Sequence, residues 1–274
     1  MVHYTLYAMF KKYSAIYRYM LIRSLQFRTE LVIYTFLDIL PFFVLVFAWQ
    51  AVFQGQETIK SFTLPEITQY YLLVMLVERM TSTYFESWRA REIREGKIDY
   101  FLTRPFSYIN EVFSKDVGGK LVSITITVPF LILFALVINS FIPVSTLSLT
   151  PEKVIIFLLF MVVAYVMQFF IAFWIVLLTF WFEGSSGIEH FKWITVSLFS
   201  GSMLPVEFMP SWLQTFYQVL PLKFMYAVPI RYLQGSLELT GSMLFQVALT
   251  LTVMFLLTKL FWKKATYLYS SAGG

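Results

Sequence analysis

Cysteine is absent from the 274 residues, which excludes a disulfide framework and any thiolate-held metal. Charge is scarce as well: Asp, Glu, Lys and Arg make up 14% of the chain, where soluble domains carry about 25%. Only two histidines occur, His3 and His190. They are far apart in an apolar chain, a setting typical of interfacial residues rather than ligands, so no metal is assigned. No phosphate loop is present, because Gly118-Gly119-Lys120 lacks the upstream glycine and the following Ser or Thr. A Gly-x-Ser-x-Gly elbow, an HExxH pair and an acidic metal motif are missing too. The chain therefore reads as non-catalytic, with no cofactor of its own. If ATP is used, another chain binds it.

Apolar residues fill that space. They form 58% of the sequence, including thirty Phe and seventeen Tyr, and the mean hydropathy is +0.70. This is the composition of a polytopic membrane protein. Six stretches approach the roughly twenty residues that a hydrocarbon core of about 30 Å requires. They are Leu31–Phe53, Ile67–Phe85, Val117–Ile138, Val154–Phe182, Phe191–Leu204 and Ser242–Trp262. The fourth is long, implying tilt or an extension beyond the membrane. The fifth is short and runs into a stretch broken by Pro205, Pro210, Pro221 and Pro229, with Trp212, Phe216 and Tyr217 among them. Aromatics in such a stretch suit the outer interface.

The positions of the basic residues set an orientation. They gather before residue 30, between Glu86 and Lys120, at Lys192 and at Lys263–Lys264. The alternate loops hold only Lys60, Lys153, Lys223 and Arg231. The positive-inside rule then puts both termini in the cytoplasm, and an even number of spans agrees. The +5 net charge is thereby explained by membrane topology, with no nucleic-acid partner. Residues 1–30 do not read as a signal peptide, since Lys11, Lys12, Arg18, Arg23 and Arg28 interrupt the apolar residues. Leu6, Phe10, Tyr13, Tyr17 and Met20 instead share one helical face, which predicts a basic amphipathic helix lying along the inner surface.

Between the second and third spans lies a segment too charged for the membrane, Glu86 to Ser107. Arg89, Arg91, Arg94, Lys97 and Arg104 alternate with Glu86, Glu92, Glu95 and Asp99. Arg91–Glu95 and Glu95–Asp99 are spaced i,i+4 and Arg89–Glu92 i,i+3, which predicts a short exposed helix. Ile93, Ile98 and Leu102 give it a sparse apolar edge. Gly96 interrupts it and Pro105 stops it. Such a piece suits docking on a soluble partner; composition alone is equally compatible with an ordinary solvated loop.

Glu92 to Tyr108, EIREGKIDYFLTRPFSY, resembles the segment I-x-x-G-x-[LI]-D-x-x-L-x-R-P between the second and third spans of ABC-2-type transporter permeases. Ile93, Gly96, Ile98, Asp99, Leu102, Arg104 and Pro105 fill that pattern. Leu220 to Gly235, LPLKFMYAVPIRYLQG, is similar to the P-[FL]-x-F-x-x-x-x-P-x-x-x-x-x-G region before the last span of the same family. The resemblance covers essentially the whole chain. It implies one all-α transmembrane domain over residues 1–274, with a connecting helix over 1–30, a cytoplasmic coupling segment over 86–107 and re-entrant outer helices over 205–235. Pro205, Glu207, Pro210, Trp212, Pro221 and Pro229 mark that outer region. It further implies an ABC ATPase docked on Arg89 through Pro105, a second permease copy or paralogue, surrounding lipid, and ATP-driven movement of a drug, lipid, glycan or peptide, usually outward. The chain would then reside in the inner or plasma membrane.

Three ionisable residues fall inside the predicted spans: Asp38, Glu78 and Arg79. A charge at the bilayer centre costs about 2.5–3.5 kcal/mol or more, so these groups either pair structurally or line a polar path. Asp38 and Arg79 lie at matching depth on neighbouring antiparallel spans, a geometry that permits a buried ion pair. A second functional class, a polytopic membrane enzyme or assembly factor acting on lipids, fits the hydropathy as well. The missing catalytic set and the charged segment both weigh against it.

Overall fold

The structure, a computed structural model, describes residues 39–103, 107–182 and 186–269, together with Ala15, Arg18, Tyr19, Ile22, Gln26, Ile33, Phe36 and Leu37. The amphipathic helix expected over 1–30 therefore lies almost wholly outside the described residues, as do Asp38, Arg104 and Pro105. Among the described residues the regular structure is helical: α1 (Leu40–Phe53), α2 (Leu64–Thr81), α3 (Glu86–Arg94), α4 (Asp99–Leu102), α5 (Tyr108–Ile138), α6 (Pro151–Leu178), α7 (Ser186–Phe199), α8 (Ser211–Val219), α9 (Ala227–Gln234) and α10 (Gly241–Leu268). Three of them, α5, α6 and α10, are long and apolar enough to cross a membrane. The first, second and fifth predicted spans correspond to α1, α2 and α7. Of these α1 is apolar but shorter, α7 has 14 residues, and α2 carries Glu66, Glu78 and Arg79.

Helix boundaries depart from the hydropathic limits because polar caps, rather than apolar runs, start the helices. The Ser107 hydroxyl accepts from the Asn110 amide and opens α5 well ahead of Val117. Thr150 accepts from the Lys153 amide, and Pro151 follows at the first helical position of α6. Inside α5, Pro129 has no N–H to offer the carbonyl four residues back. Just ahead of it the hydroxyls of Thr125 and Thr127 donate to the carbonyls of Leu121 and Ser123, at 2.8 and 2.7 Å.

The chain forms two compact units. The first holds α1, most of α2, and α5. Phe42, Val46, Trp49 and Phe53 recur at helical spacing and bury one face of α1. Against it, Trp49 Nε1 donates to the Tyr71 hydroxyl of α2 at 2.9 Å. Phe42 and Phe43 meet Phe134 of α5 edge-on, with ring centroids 5.5 and 6.0 Å apart. After α1 the chain reverses through Lys60 and Ser61, both at positive φ, while Ile59 and Phe62 exchange two main-chain bonds.

The second unit is built on α6, whose buried face runs from Phe157 to Leu177. Helix α10 packs along it, with Trp174 Nε1 donating to Thr258 Oγ1 at 2.8 Å. Helices α3 and α9 also lie on α6. Gln168, buried in α6, donates to Thr81 Oγ1 at 3.4 Å and to the Tyr226 hydroxyl at 3.2 Å; its carbonyl accepts from Thr83 at 3.4 Å. One buried glutamine thus ties Thr81, Thr83 and Tyr226, all in this unit, to the central helix. In an apolar surround such satisfied groups fix a single arrangement, because any alternative leaves them unpaired.

Candidate functional site

The charged segment is a two-faced element, and this corrects the exposed helix expected from its spacing. Helix α3 buries Glu86, Arg89, Ala90 and Ile93. It presents Ser87, Trp88, Arg91, Arg94 and Glu95 outward. Ala90 and Ile93 are buried, and Phe85 just ahead of the helix meets Phe169 of α6 at 5.4 Å between ring centroids. Arg89 is only 1% exposed. Its guanidinium donates to Glu92 at 2.7 Å and lies 4.1 Å from the centroid of the Trp88 ring. Two acceptors, one anionic and one aromatic, make a buried Arg tolerable where a buried Lys would have a weaker fit.

Gly96 ends α3. At φ +70° it takes a left-handed conformation, its amide bonds the Ile93 carbonyl, and the Lys97 amide bonds the Glu92 carbonyl, both at 3.0 Å. That pair of bonds is a Schellman closure, which satisfies carbonyls left open at the helix end and needs glycine at the turn. Gly96→Ala is expected to cost about 1–2 kcal/mol through the left-handed penalty, and Gly96→Asn less. Thermal unfolding of the detergent-solubilised chain checks this, and an unchanged midpoint in Gly96→Ala would contradict it.

Beyond the turn the spacing-based pairs rearrange. Glu95 caps α3, its amide still bonded to the Arg91 carbonyl, and its carboxylate pairs with Lys97 at 2.5 Å; Asp99 starts α4 as a separate turn. The Lys97 hydrogen bond and charge hold the exposed Glu95 carboxyl below its ordinary range. Ile98 is buried and Leu102 exposed, so the expected apolar edge is split between the two faces. Thr103 caps α4 by donating to the Asp99 carbonyl at 2.9 Å. Burial, and then the facing Asp99 carboxylate, raise the Tyr269 hydroxyl.

The buried end of α3 carries contacts that the sequence did not announce. Glu86 forms an ion pair with Lys192 of α7, and Ser87 donates to Glu189 of the same helix. Burial raises the Glu86 carboxyl above its ordinary value, Lys192 opposes that, and Glu189 adds to it. The available signal was Lys192 itself: a lysine in a largely apolar run calls for a counter-ion, and Glu86 opens the charged segment.

Among the other sequence-singled residues, Glu78 and Arg79 lie on α2 in the first unit, where they and Asp116 act electrostatically on Lys120 of α5. Arg79's expected partner, Asp38, is outside the described residues. In the second unit the proline-broken stretch is a run of short helices. Pro205 and Pro210 precede a 3-10 turn (Val206–Phe208) and α8. Pro221 opens a second 3-10 turn (Pro221–Phe224), and Pro229 sits in the first turn of α9, where no amide is needed. Glu207 pairs with Arg231, tying the first turn to α9. Trp212 is exposed, with its ring edge-on to Phe216. No group of three or more His, Cys, Asp or Glu that could hold a metal occurs among the described residues.

Three helices long and apolar enough to cross a membrane, beside a two-faced charged segment and proline-broken short helices, mark a polytopic membrane protein. The family profile described as ABC-2 family transporter protein matches residues 39–273, and the chain belongs to that family. It is accordingly a membrane permease of an ABC transporter, a class that associates with an ABC ATPase subunit and is generally not itself catalytic. No curated protein and no solved structure matches the chain.

Proposed function

We propose that the chain is one of two transmembrane subunits of an ATP-driven exporter of a hydrophobic or amphipathic substrate, and that its ATPase docks on the outward face of α3 and α4. The observation that carries this is the division of α3. One face is fixed to α6 and α7, while the other, with the turn that follows, exposes Trp88, Arg91, Arg94 and Lys97. A solvated loop has no reason to bury an arginine and a glutamate behind an exposed basic edge. In this reading α1, α2 and α7 complete six spans with α5, α6 and α10, and both termini are cytoplasmic. Residues 1–30 lie along the inner surface, and 205–235 enter the membrane from outside without crossing. ATP and magnesium sit on the partner.

Purification from native membranes tests the reading directly. An ATPase bearing a phosphate loop is expected to accompany the chain; its consistent absence would refute the docking. Topology is tested separately, in a chain with no native Cys. A single Cys at Gln56 or Ser236 is expected to react with an impermeant thiol reagent in intact cells, and one at Ser107 or Ser270 only after the membrane is opened. Labelling of Ser107 from outside would reverse the orientation.

A further inference from the structure

Two polar contacts fasten the first turn of α3 to α7. Lys192 pairs with Glu86 and donates to the Thr83 carbonyl at 3.3 Å. Glu189, one turn earlier on α7, accepts from the Ser87 hydroxyl. The Glu86 and Lys192 side chains are 5% and 14% exposed. A pair so withdrawn from water holds its geometry, because separating the partners strands a buried charge on each side. Apolar contacts of the kind Phe85 makes with Phe169 of α6 resist separation but have little directional preference. The other end of α7 is pinned as well. The carbonyl of Ser200, just past the helix, accepts from the amide of Ala227, the first residue of α9, at 3.1 Å. Leu198 and Phe199 pack on the buried cluster of Met209, Leu213, Tyr217 and Ala227. Helix α7 is therefore a strut, held by charges at its start and by a main-chain bond and apolar packing at its end.

We propose that the Glu86–Lys192 pair, braced by Ser87–Glu189, is the joint through which a displacement of α3 is delivered to α7 and onward to the short helices of 205–235. The inference rests on the docking reading above and assigns these four residues a positioning role: they transmit, while the outward face of α3 receives. None of them belongs to that receiving face except Ser87, whose hydroxyl is turned to Glu189.

The test uses the chain with its co-purified ATPase, carrying Ser236→Cys as the reporter, with ATP plus orthovanadate as the probe. Thiol reactivity at that position is measured with and without the probe, in the parent and in Glu86→Gln/Lys192→Met, which removes both charges and strands neither. In the parent the probe is expected to change reactivity at least about fivefold, the lower end of ordinary site-to-site coupling. In the neutral pair that response is expected to vanish while the ATPase is retained at parental yield, and the swapped pair Glu86→Lys/Lys192→Glu is expected to restore it. A parental response in the neutral pair overturns the joint. So does loss of the ATPase from the neutral pair alone, which would make these residues part of the docking face. Failure of the docking reading is distinguishable, because it shows as no ATPase on the parent chain. Should the neutral pair not accumulate, Ser87→Ala/Glu189→Gln removes the brace alone: a reduced response supports the joint and an unchanged one overturns it.

Discussion

Lys192→Met is expected to destabilise the chain by about 3–5 kcal/mol, the usual cost of stranding one member of a buried ion pair. Its partner Glu86 is withdrawn from water, and with the lysine gone the repulsion from Glu189 is unopposed by it. The loss depends on pH, and its sign follows from the carboxyl. Burial already raises Glu86 above its ordinary value, and Lys192 is the chief opposing influence. Removing the lysine raises the carboxyl further. Below the ordinary carboxylate range Glu86 is protonated in folded and unfolded chains alike, and the deficit is smallest there. As pH rises toward the raised folded value, the unfolded chain releases its proton first, and the variant weakens relative to the parent. Glu86→Gln/Lys192→Met is expected to recover most of the stability at neutral pH. Thermal unfolding in detergent at acid and neutral pH measures all of this. A Lys192→Met chain as stable as the parent at neutral pH would mean that the pair contributes nothing.

The second large effect belongs to the outward face. Arg91→Glu/Arg94→Glu is expected to reduce recovery of the ATPase by at least about tenfold, because like charges brought together across an interface cost several kcal/mol. The spans are expected to insert normally, since both arginines are exposed and neither is buried against α6. Pull-down of the ATPase, paired with the thiol-labelling assay for topology, separates docking from insertion. Attraction of these arginines to anionic lipid is a competing role; it predicts altered membrane association with undiminished ATPase recovery.

Hydropathy made the three longest helices legible, because an apolar run of that length has few alternatives to a membrane span. Proline was equally informative: each of Pro205, Pro210 and Pro221 stands at the start of a new short element. Gly96 was readable as a break, and the backbone there takes the conformation that favours glycine. The family motifs around Gly96 and before the last span agree with the profile match. What the pattern hid was burial. Arg89, Arg91 and Arg94 look alike in a row of charges, yet one is sealed under Glu92 and Trp88 while the others face outward. Local spacing also misassigned the partner of Glu95, which sits at the end of α3 and meets Lys97 across the Gly96 turn. The Glu86–Lys192 and Gln168–Tyr226 contacts join residues far apart in sequence. Periodicity carries no information about such partners.

Pro129 gives α5 a mechanical character that its length alone would not suggest. An uninterrupted helix resists bending at every rung. Here the rung between the Thr125 carbonyl and residue 129 does not exist, because proline offers no hydrogen. The hydroxyls of Thr125 and Thr127 pull on carbonyls on the N-terminal side of the gap, which further loosens the local ladder. Curvature imposed on α5 is therefore expected to gather at Thr125–Pro129, where the ladder lacks a bond.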